Sequence, residues 1–344
     1  MIVIKTPLRI SFCGGGSDLP SWSSKHSAAC VNAAINKYVY VLVKKRFDDK
    51  IYLKYSENEI VDIDNIDQIK HDFIRETLKF MKIDFGLEVI NFSDIPTKGC
   101  GLGSSSSFLV GLLHALHILK GNPVDLHTLA EQACYIEIEK CKKQIGFQDQ
   151  FAAAYGGLNF MQFYSTPYKT CVNRINLSDK ELHEISQNIF MFYTGLTREA
   201  SEILSVQDNK AKDDDKQFIE LMKKNVNIAE ELFTILSMKN KVEVRNFSIG
   251  IAMRQNWDLK KQFSSGISNY FIENMVEVAR KSGAIGCKIT GAGGGGFLVV
   301  YATSYDRDTL MKNMLSISDN IRYMPVEIDK YGTRVLLNTE EFTW

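Results

Sequence analysis

Residues 96–108 read PTKGCGLGSSSSF and hold the densest chemical signal in the chain. Gly99, Gly101 and Gly103, with Leu102 before the last of them, leave backbone N–H groups that no Cβ shields. Ser104, Ser105, Ser106 and Ser107 follow, then an apolar run from Phe108 to Leu119 that stops at Lys120-Gly121-Asn122-Pro123. A glycine loop that feeds a helix N-terminus favours an anion, through free N–H groups and the positive end of the helix dipole. Serine hydroxyls at that point suit phosphate oxygens or a metal ion. The pattern predicts a phosphate cradle; the bland alternative is a Gly/Ser linker that precedes a helix. It is not a P-loop, because no Gly-x-x-x-x-Gly-Lys-Ser/Thr string occurs, and a dinucleotide fingerprint would need glycine where Ser104 stands.

Two more glycine turns carry ionisable neighbours. Arg9 and Asp18 bracket Cys13-Gly14-Gly15-Gly16-Ser17. Such a turn can wrap a small polar molecule, with Asp18 accepting from hydroxyls, or it is a tight hairpin with Asp18 capping the next segment. The third turn, Cys287 to Gly296, matches G-x-G-x-x-G literally at Gly291, Gly293 and Gly296. It opens a strand, Phe297 to Tyr301, rather than a helix, so it instead invites close approach of another backbone or a nucleotide. Between these turns, Glu137 and Glu139 lie two apart on a helical pattern and cannot share a face. Asp149 sits among amides and small residues in GFQDQFAAAYGG, a setting for a buried acid or for the cap of a turn over residues 151–155.

The elements that must position these groups follow from hydrophobic period. Strands are expected over Met1–Phe12, Cys30–Lys44, Lys50–Tyr55 (beside the previous one), Leu87–Phe92, Asn188–Thr194, Phe297–Tyr301, Ile321–Ile328 and Thr333–Leu337. Helices are expected over His71–Phe80, Phe108–Leu119, Leu126–Lys140 capped by Asp125, a segment after Arg198 through Leu204, Phe218–Leu236, Val242–Phe263, Ser268–Ser282 and Asp306–Leu315. Lys210 to Lys216, KAKDDDK, reads as a solvated connector. The 344 residues, 45% hydrophobic and 24% charged, suit two soluble globular domains, divided as 1–185 and 186–344. Lys plus Arg equals Asp plus Glu at 41 each, so no global field recruits nucleic acid or a membrane surface. Seven cysteines without a C-x-x-C pair read as reduced thiols, and with no signal peptide or spanning segment the expected location is cytoplasmic.

The three glycine motifs in this order, Pro7–Leu19, Pro96–Phe108 and Lys288–Phe297, resemble those of the GHMP kinase superfamily, named for galactokinase, homoserine kinase, mevalonate kinase and phosphomevalonate kinase. PLRISFCGGGSDLP, GFQDQFAAAYGG and YTGLTREASEIL are similar to the sugar-1-kinase branch that includes heptose 7-phosphate kinases. The resemblance implies an α+β fold: an N-terminal domain like ribosomal protein S5 domain 2, a ferredoxin-like C-terminal domain, and ATP between them. It implies Asp149 as catalytic base with Arg9 beside it, since Arg9 precedes Asp18 by nine residues as in galactokinases. Glu137 precedes Asp149 by twelve, which selects it over Glu139 as the Mg²⁺ ligand, together with Ser105. Gly99, Gly101, Leu102, Gly103, Ser104, Ser105 and Ser106 are expected on ATP; Gly15, Gly16, Ser17, Asp18, Gly157, Thr194 and Arg198 on the sugar. Galactokinases carry Glu-His where Gly15 and Gly16 stand, so galactose is disfavoured and a bulkier substrate fits. Arg198 is the candidate for a substrate phosphate, against the plain reading of a surface arginine. The expected reaction is phosphorylation of D-glycero-α-D-manno-heptose 7-phosphate at C1, with ATP and sugar phosphate as partners and a homodimer compatible. The alternatives are an L-fucose kinase or other sugar-1-kinase, and a catalytically silent sugar sensor.

Overall fold

The computed structural model describes residues 1–95, 99–164, 169–197, 200–238, 240–303 and 307–339. The chain opens with β1 (Ile2–Cys13), a short α1 (Pro20–Ser23) and the 18-residue β2 (Ala28–Lys45). A hairpin of β3 (Lys50–Lys54) and β4 (Asn58–Asp62) precedes α2 (Asp72–Phe80) and β5 (Leu87–Ser93). Next come α3 (Ser104–Leu119), α4 (Leu126–Cys134) with a π-helical continuation over Tyr135–Lys140, and α5 (Gln148–Tyr155). β6 (Leu158–Phe163), β7 (Thr170–Arg174) and α6 (Asp179–Gln187) complete the first half. The second half runs β8 (Ile189–Tyr193), α7 (Ala200–Lys212), α8 (Lys216–Ser237), α9 (Val242–Lys260), α10 (Tyr270–Lys281), β9 (Ala284–Ile289), β10 (Phe297–Ala302), α11 (Arg307–Leu315), β11 (Arg322–Met324) and β12 (Arg334–Asn338).

The first sheet is ordered β12-β1-β2-β5-β3-β4, with β6 and β7 added along the other end of β2. β2 is long enough to serve two partners, β6 from Ala28 to Ala33 and β5 from Val39 to Lys45. α3 is apolar on nearly every side and is buried across β1 and β2, as an all-round hydrophobic helix must be. Its approach depends on Gly111, where a Cβ would come within 2.8 Å of the Thr6 hydroxyl. Ser107 Oγ donates to the Pro7 carbonyl at 2.8 Å and so locks the helix to β1. The second sheet is antiparallel with order β11-β8-β10-β9. In chain order that is a βαββαβ unit with strands arranged 4-1-3-2, the ferredoxin-like plan.

Several expectations change. Lys50–Lys54 does not lie beside β2: β5 takes that edge, and β3 pairs parallel with β5 from Ile51↔Leu87, a crossover that α2 bridges. The β4 strand was not expected. Lys210–Lys216 is not a free connector, because α7 runs to Lys212 and Lys210 Nζ donates to the Phe263 carbonyl at 2.9 Å. The strand expected over Ile321–Ile328 shortens to β11. Thr333–Leu337 does not close the second half: β12 returns to the first sheet and pairs antiparallel with β1 from Ile2↔Asn338 to Lys5↔Arg334. A division at residue 186 would therefore part β12 from the first sheet, to which it belongs.

Candidate active site

α3 begins at Gly103, whose φ of +75° is left-handed backbone that an L side chain resists. Ser104, expected in a loop, is the first residue of the helix, so the serines form its first turn, and Ser107 N–H closes that turn on the Gly103 carbonyl at 2.9 Å. Gly103, Ser104 and Ser105 face a cavity of about 730 Å³ between the two halves. The third glycine turn backs directly onto the second. A Cβ on Gly101 would meet the Thr290 carbonyl at 2.8 Å, and one on Gly296 would meet the Cys100 carbonyl at 2.6 Å. Thr290 Oγ1 donates to that Cys100 carbonyl at 2.9 Å, so both loops are held as one wall.

Arg9 reaches this wall from β1. Its Nη1 donates to the Gly101 carbonyl at 2.7 Å, and its backbone N–H donates to Leu102 at 3.1 Å. Its Nε and Nη2 each hold one oxygen of Asp149 at 2.6 Å, a two-point ion pair with both side chains buried. Asp149 lies in the first turn of α5, where the cap position is Phe147, so its carboxylate is free of capping duty. A Cβ on Gly103 would stand 3.1 Å from Asp149 Oδ2, which sets the acid directly against the cradle.

Asp18 crosses to the same helix. Its carboxylate accepts from Gly16 N at 3.0 Å and from Gln148 N at 3.1 Å, so it does not cap α1. Burial, then the nearby Asp149 charge, pushes its pKa up. Glu137 points inward from the π-helical stretch, while Glu139 is exposed. Ser106 Oγ, Gln150 Nε2 and Ser105 Oγ donate to Glu137 at 2.8, 2.7 and 3.2 Å. Burial raises its pKa to about 7 despite these donors.

The residues present fit ATP and Mg²⁺. Gly99, Gly101, Gly103, Ser104 and Ser105 line the cavity at the start of α3, and Glu137 is a buried carboxylate bonded by neutral donors, a place where a cation relieves the cost of burial. Among the described residues no group of three or more His, Cys, Asp or Glu could hold a metal alone. One carboxylate with one hydroxyl suits Mg²⁺, which keeps waters and binds phosphate oxygens.

Other expected site residues are placed elsewhere. Ser17 donates to the Gly14 and Ala29 carbonyls at 2.8 and 3.1 Å and does not line the cavity. Thr194 clamps the third glycine turn, its Oγ1 donating to Gly296 at 3.0 Å, and is likewise off the cavity. Gly157 is a structural glycine: its N–H donates to Asp329 at 2.7 Å, and a Cβ there would strike the Arg174 guanidinium. Leu102 is core, and Ser106 serves Glu137. Gly15, Gly16 and Gly99 do line the cavity. Arg198 lies outside the described residues. Two lysines given no role in the sequence reading also line it, Lys260 at the end of α9 and Lys288 on β9, the residue that opens the third motif.

Residues 70–157 match the GHMP kinases N terminal domain, and residues 245–317 match GHMP kinases C terminal. The D-glycero-alpha-D-manno-heptose 7-phosphate kinase of Campylobacter jejuni is 30% identical over 319 residues, 90% of this chain and 91% of that protein. The chain belongs to the GHMP kinase family. As a GHMP kinase it is an ATP-dependent phosphotransferase. An Arabidopsis thaliana bifunctional fucokinase/GDP-fucose pyrophosphorylase is 23% identical over 91% of this chain and 31% of its own length. Among solved structures, a D-glycero-D-manno-heptose 1-phosphate kinase from Bacteroides thetaiotaomicron superposes with a TM-score of 0.78 at 20% identity, covering 98% of this chain and 99% of that one. At that identity the likeness bears on the fold, and it agrees with the two-sheet GHMP kinase plan described above.

Proposed function

We propose that this GHMP kinase transfers the γ-phosphoryl group of ATP to the anomeric hydroxyl of D-glycero-α-D-manno-heptose 7-phosphate, giving the 1,7-bisphosphate. The observation that carries the reading is the buried Arg9–Asp149 pair set against the phosphate cradle, with Asp18 on the same helix N-terminus. The Campylobacter relative supports the substrate, and the absence of side chains at Gly15 and Gly16 leaves room for a seven-carbon sugar. The C1 hydroxyl oxygen attacks the γ-phosphorus, the bond to the β-phosphate oxygen breaks, and the hydroxyl proton passes to the Asp149 carboxylate. Transfer of this kind is mostly positioning and charge stabilisation. Arg9 holds Asp149 in one orientation and offers positive charge to the group in transfer. Asp18, with both oxygens directed by N–H donors, orients sugar hydroxyls. Glu137 and Ser105 would hold Mg²⁺, which when bound neutralises phosphate charge. The product would feed nucleotide-activated heptose for surface polysaccharide, in the cytoplasm.

The test is sugar-dependent ADP release with Mg-ATP on D-glycero-D-manno-heptose 7-phosphate, mannose 6-phosphate, L-fucose and galactose. Turnover concentrated on the heptose phosphate is expected. Turnover on fucose would overturn the substrate while keeping the chemistry, and ATP binding without turnover on any sugar would favour a silent sensor.

A further inference from the structure

Lys260 and Lys288 both line the cavity that Asp18 also lines. Both are buried, at 6% and 3% exposure, yet neither forms an ion pair with a carboxylate among the described residues. Lys260 Nζ donates to the Gly291 carbonyl; Lys288 Nζ donates to Phe12 O at 3.3 Å and to Asn256 Oδ1. Asn256 in turn donates to Asn225, whose amide reaches the Gly15 carbonyl at 3.2 Å and whose oxygen accepts from Gly14 N at 3.2 Å. Lys288 is therefore braced against the first glycine turn, and Lys260 against the third. The Asp149 carboxylate is already matched to Arg9, so it forms no ion pair with either lysine, and the Arg9 charge opposes theirs.

Burying two cations without a counter-ion is costly, and a chain retains them where a ligand supplies the negative charge. Burial, and then the neighbouring positive charge, pushes the Lys260 pKa well below its ordinary range; burial brings that of Lys288 down to about 8. The helix N-terminus and serines are already assigned to the phosphates of ATP. We propose that Lys260 and Lys288 form the receptor for the phosphate that the acceptor sugar already carries, making the site selective for sugar phosphates over neutral sugars. This rests on the reading of the protein as a sugar-phosphate kinase and assigns to these lysines the task expected of Arg198.

The experiment compares the whole protein with Lys260→Met, Lys260→Arg and Lys288→Met variants. It measures KM for D-glycero-D-manno-heptose 7-phosphate and for its 7-dephosphorylated form, Kd for a non-hydrolysable ATP analogue, and thermal stabilisation by inorganic phosphate. Lys260→Met is expected to raise KM for the sugar phosphate roughly 10- to 100-fold while KM for the neutral sugar and Kd for the analogue move little. Lys260→Arg is expected to restore part of the loss, and Lys288→Met to act as Lys260→Met does. Equal loss for both sugars would overturn the proposal, as would a loss confined to the ATP analogue, which would put the lysines on nucleotide phosphate. If the wild type turns over no sugar phosphate, the functional reading fails. In that case phosphate stabilisation lost in both Met variants still supports an anion receptor, and stabilisation unchanged in them refutes it.

Discussion

Glu137→Gln is the most informative single perturbation. The carboxylate is 1% exposed, so solvent screens it little, and burial raises its pKa from an ordinary 4.5 to about 7. Each pH unit by which a group's ionisation is delayed in the fold corresponds to about 1.4 kcal/mol. Between pH 4.5 and 7 the folded protein binds more protons than the unfolded chain at this position, so stability falls as pH rises through that window and levels above it. The ionised carboxylate then costs about 3 kcal/mol at pH 8, but under about 1 kcal/mol at pH 5. Glutamine is nearly isosteric, keeps an acceptor for Gln150 and offers its amide to the serine hydroxyls, so few hydrogen bonds are lost. In metal-free urea unfolding, the variant should be more stable than the wild type by about 2–3 kcal/mol at pH 8, with the gap shrinking to below about 1 kcal/mol at pH 5. It should also lose most turnover with Mg-ATP. A variant no more stable at pH 8, or a gap independent of pH, would refute the argument that this acid is held charged at a cost for the sake of a cation.

Asp149→Asn should keep ATP and sugar binding, measured by calorimetry, and lose about 10²- to 10⁴-fold in kcat; near-normal turnover would remove its role as base. Gly103→Ala forces a side chain into left-handed backbone and against Asp149 Oδ2, so stability should drop by roughly 1–2 kcal/mol in chemical unfolding, and KM for ATP should rise. Lys288 has the opposite linkage to Glu137. The unfolded chain binds more protons between about pH 8 and 10.5, so the wild type should gain about 3 kcal/mol across that window relative to Lys288→Met, read as the difference of their pH profiles, in which other titrations cancel.

Much of the site was legible because glycine turns and acids at fixed spacings are local signals. Arg9 and Asp18 bracket one glycine turn, Asp149 follows Gly146 closely, the cradle is itself such a turn, and the twelve-residue interval implied by the family resemblance singles out Glu137, the inward-facing one of the two acids. Lys260 was illegible for the converse reason: a lysine ending a long helix looks like any solvated last-turn cation, and only the packing of α9 against the third glycine turn buries it. Thr194 and Gly157 also flank glycine turns, yet one clamps a loop and the other clears space for Arg174, which adjacency in sequence does not distinguish. Most strands were readable from alternation, though β4, β6 and β7 were not, and strand partners were not readable from it. Nothing within residues 334–338 says that they pair with β1 rather than with the sheet just completed, and the hairpin β3–β4 gave no sign that β5 would intervene.

That returning strand has a consequence for biosynthesis. β12 leaves the ribosome about 320 residues after its partner β1, which at 5–20 residues per second is a wait of roughly 15–65 s. During that interval the outer edge of the strand that carries Arg9 presents unpaired N–H and C=O groups, a template for any other extended chain. A nascent chain must keep this edge from its neighbours until β12 arrives, and a product cut short before residue 334 never closes it.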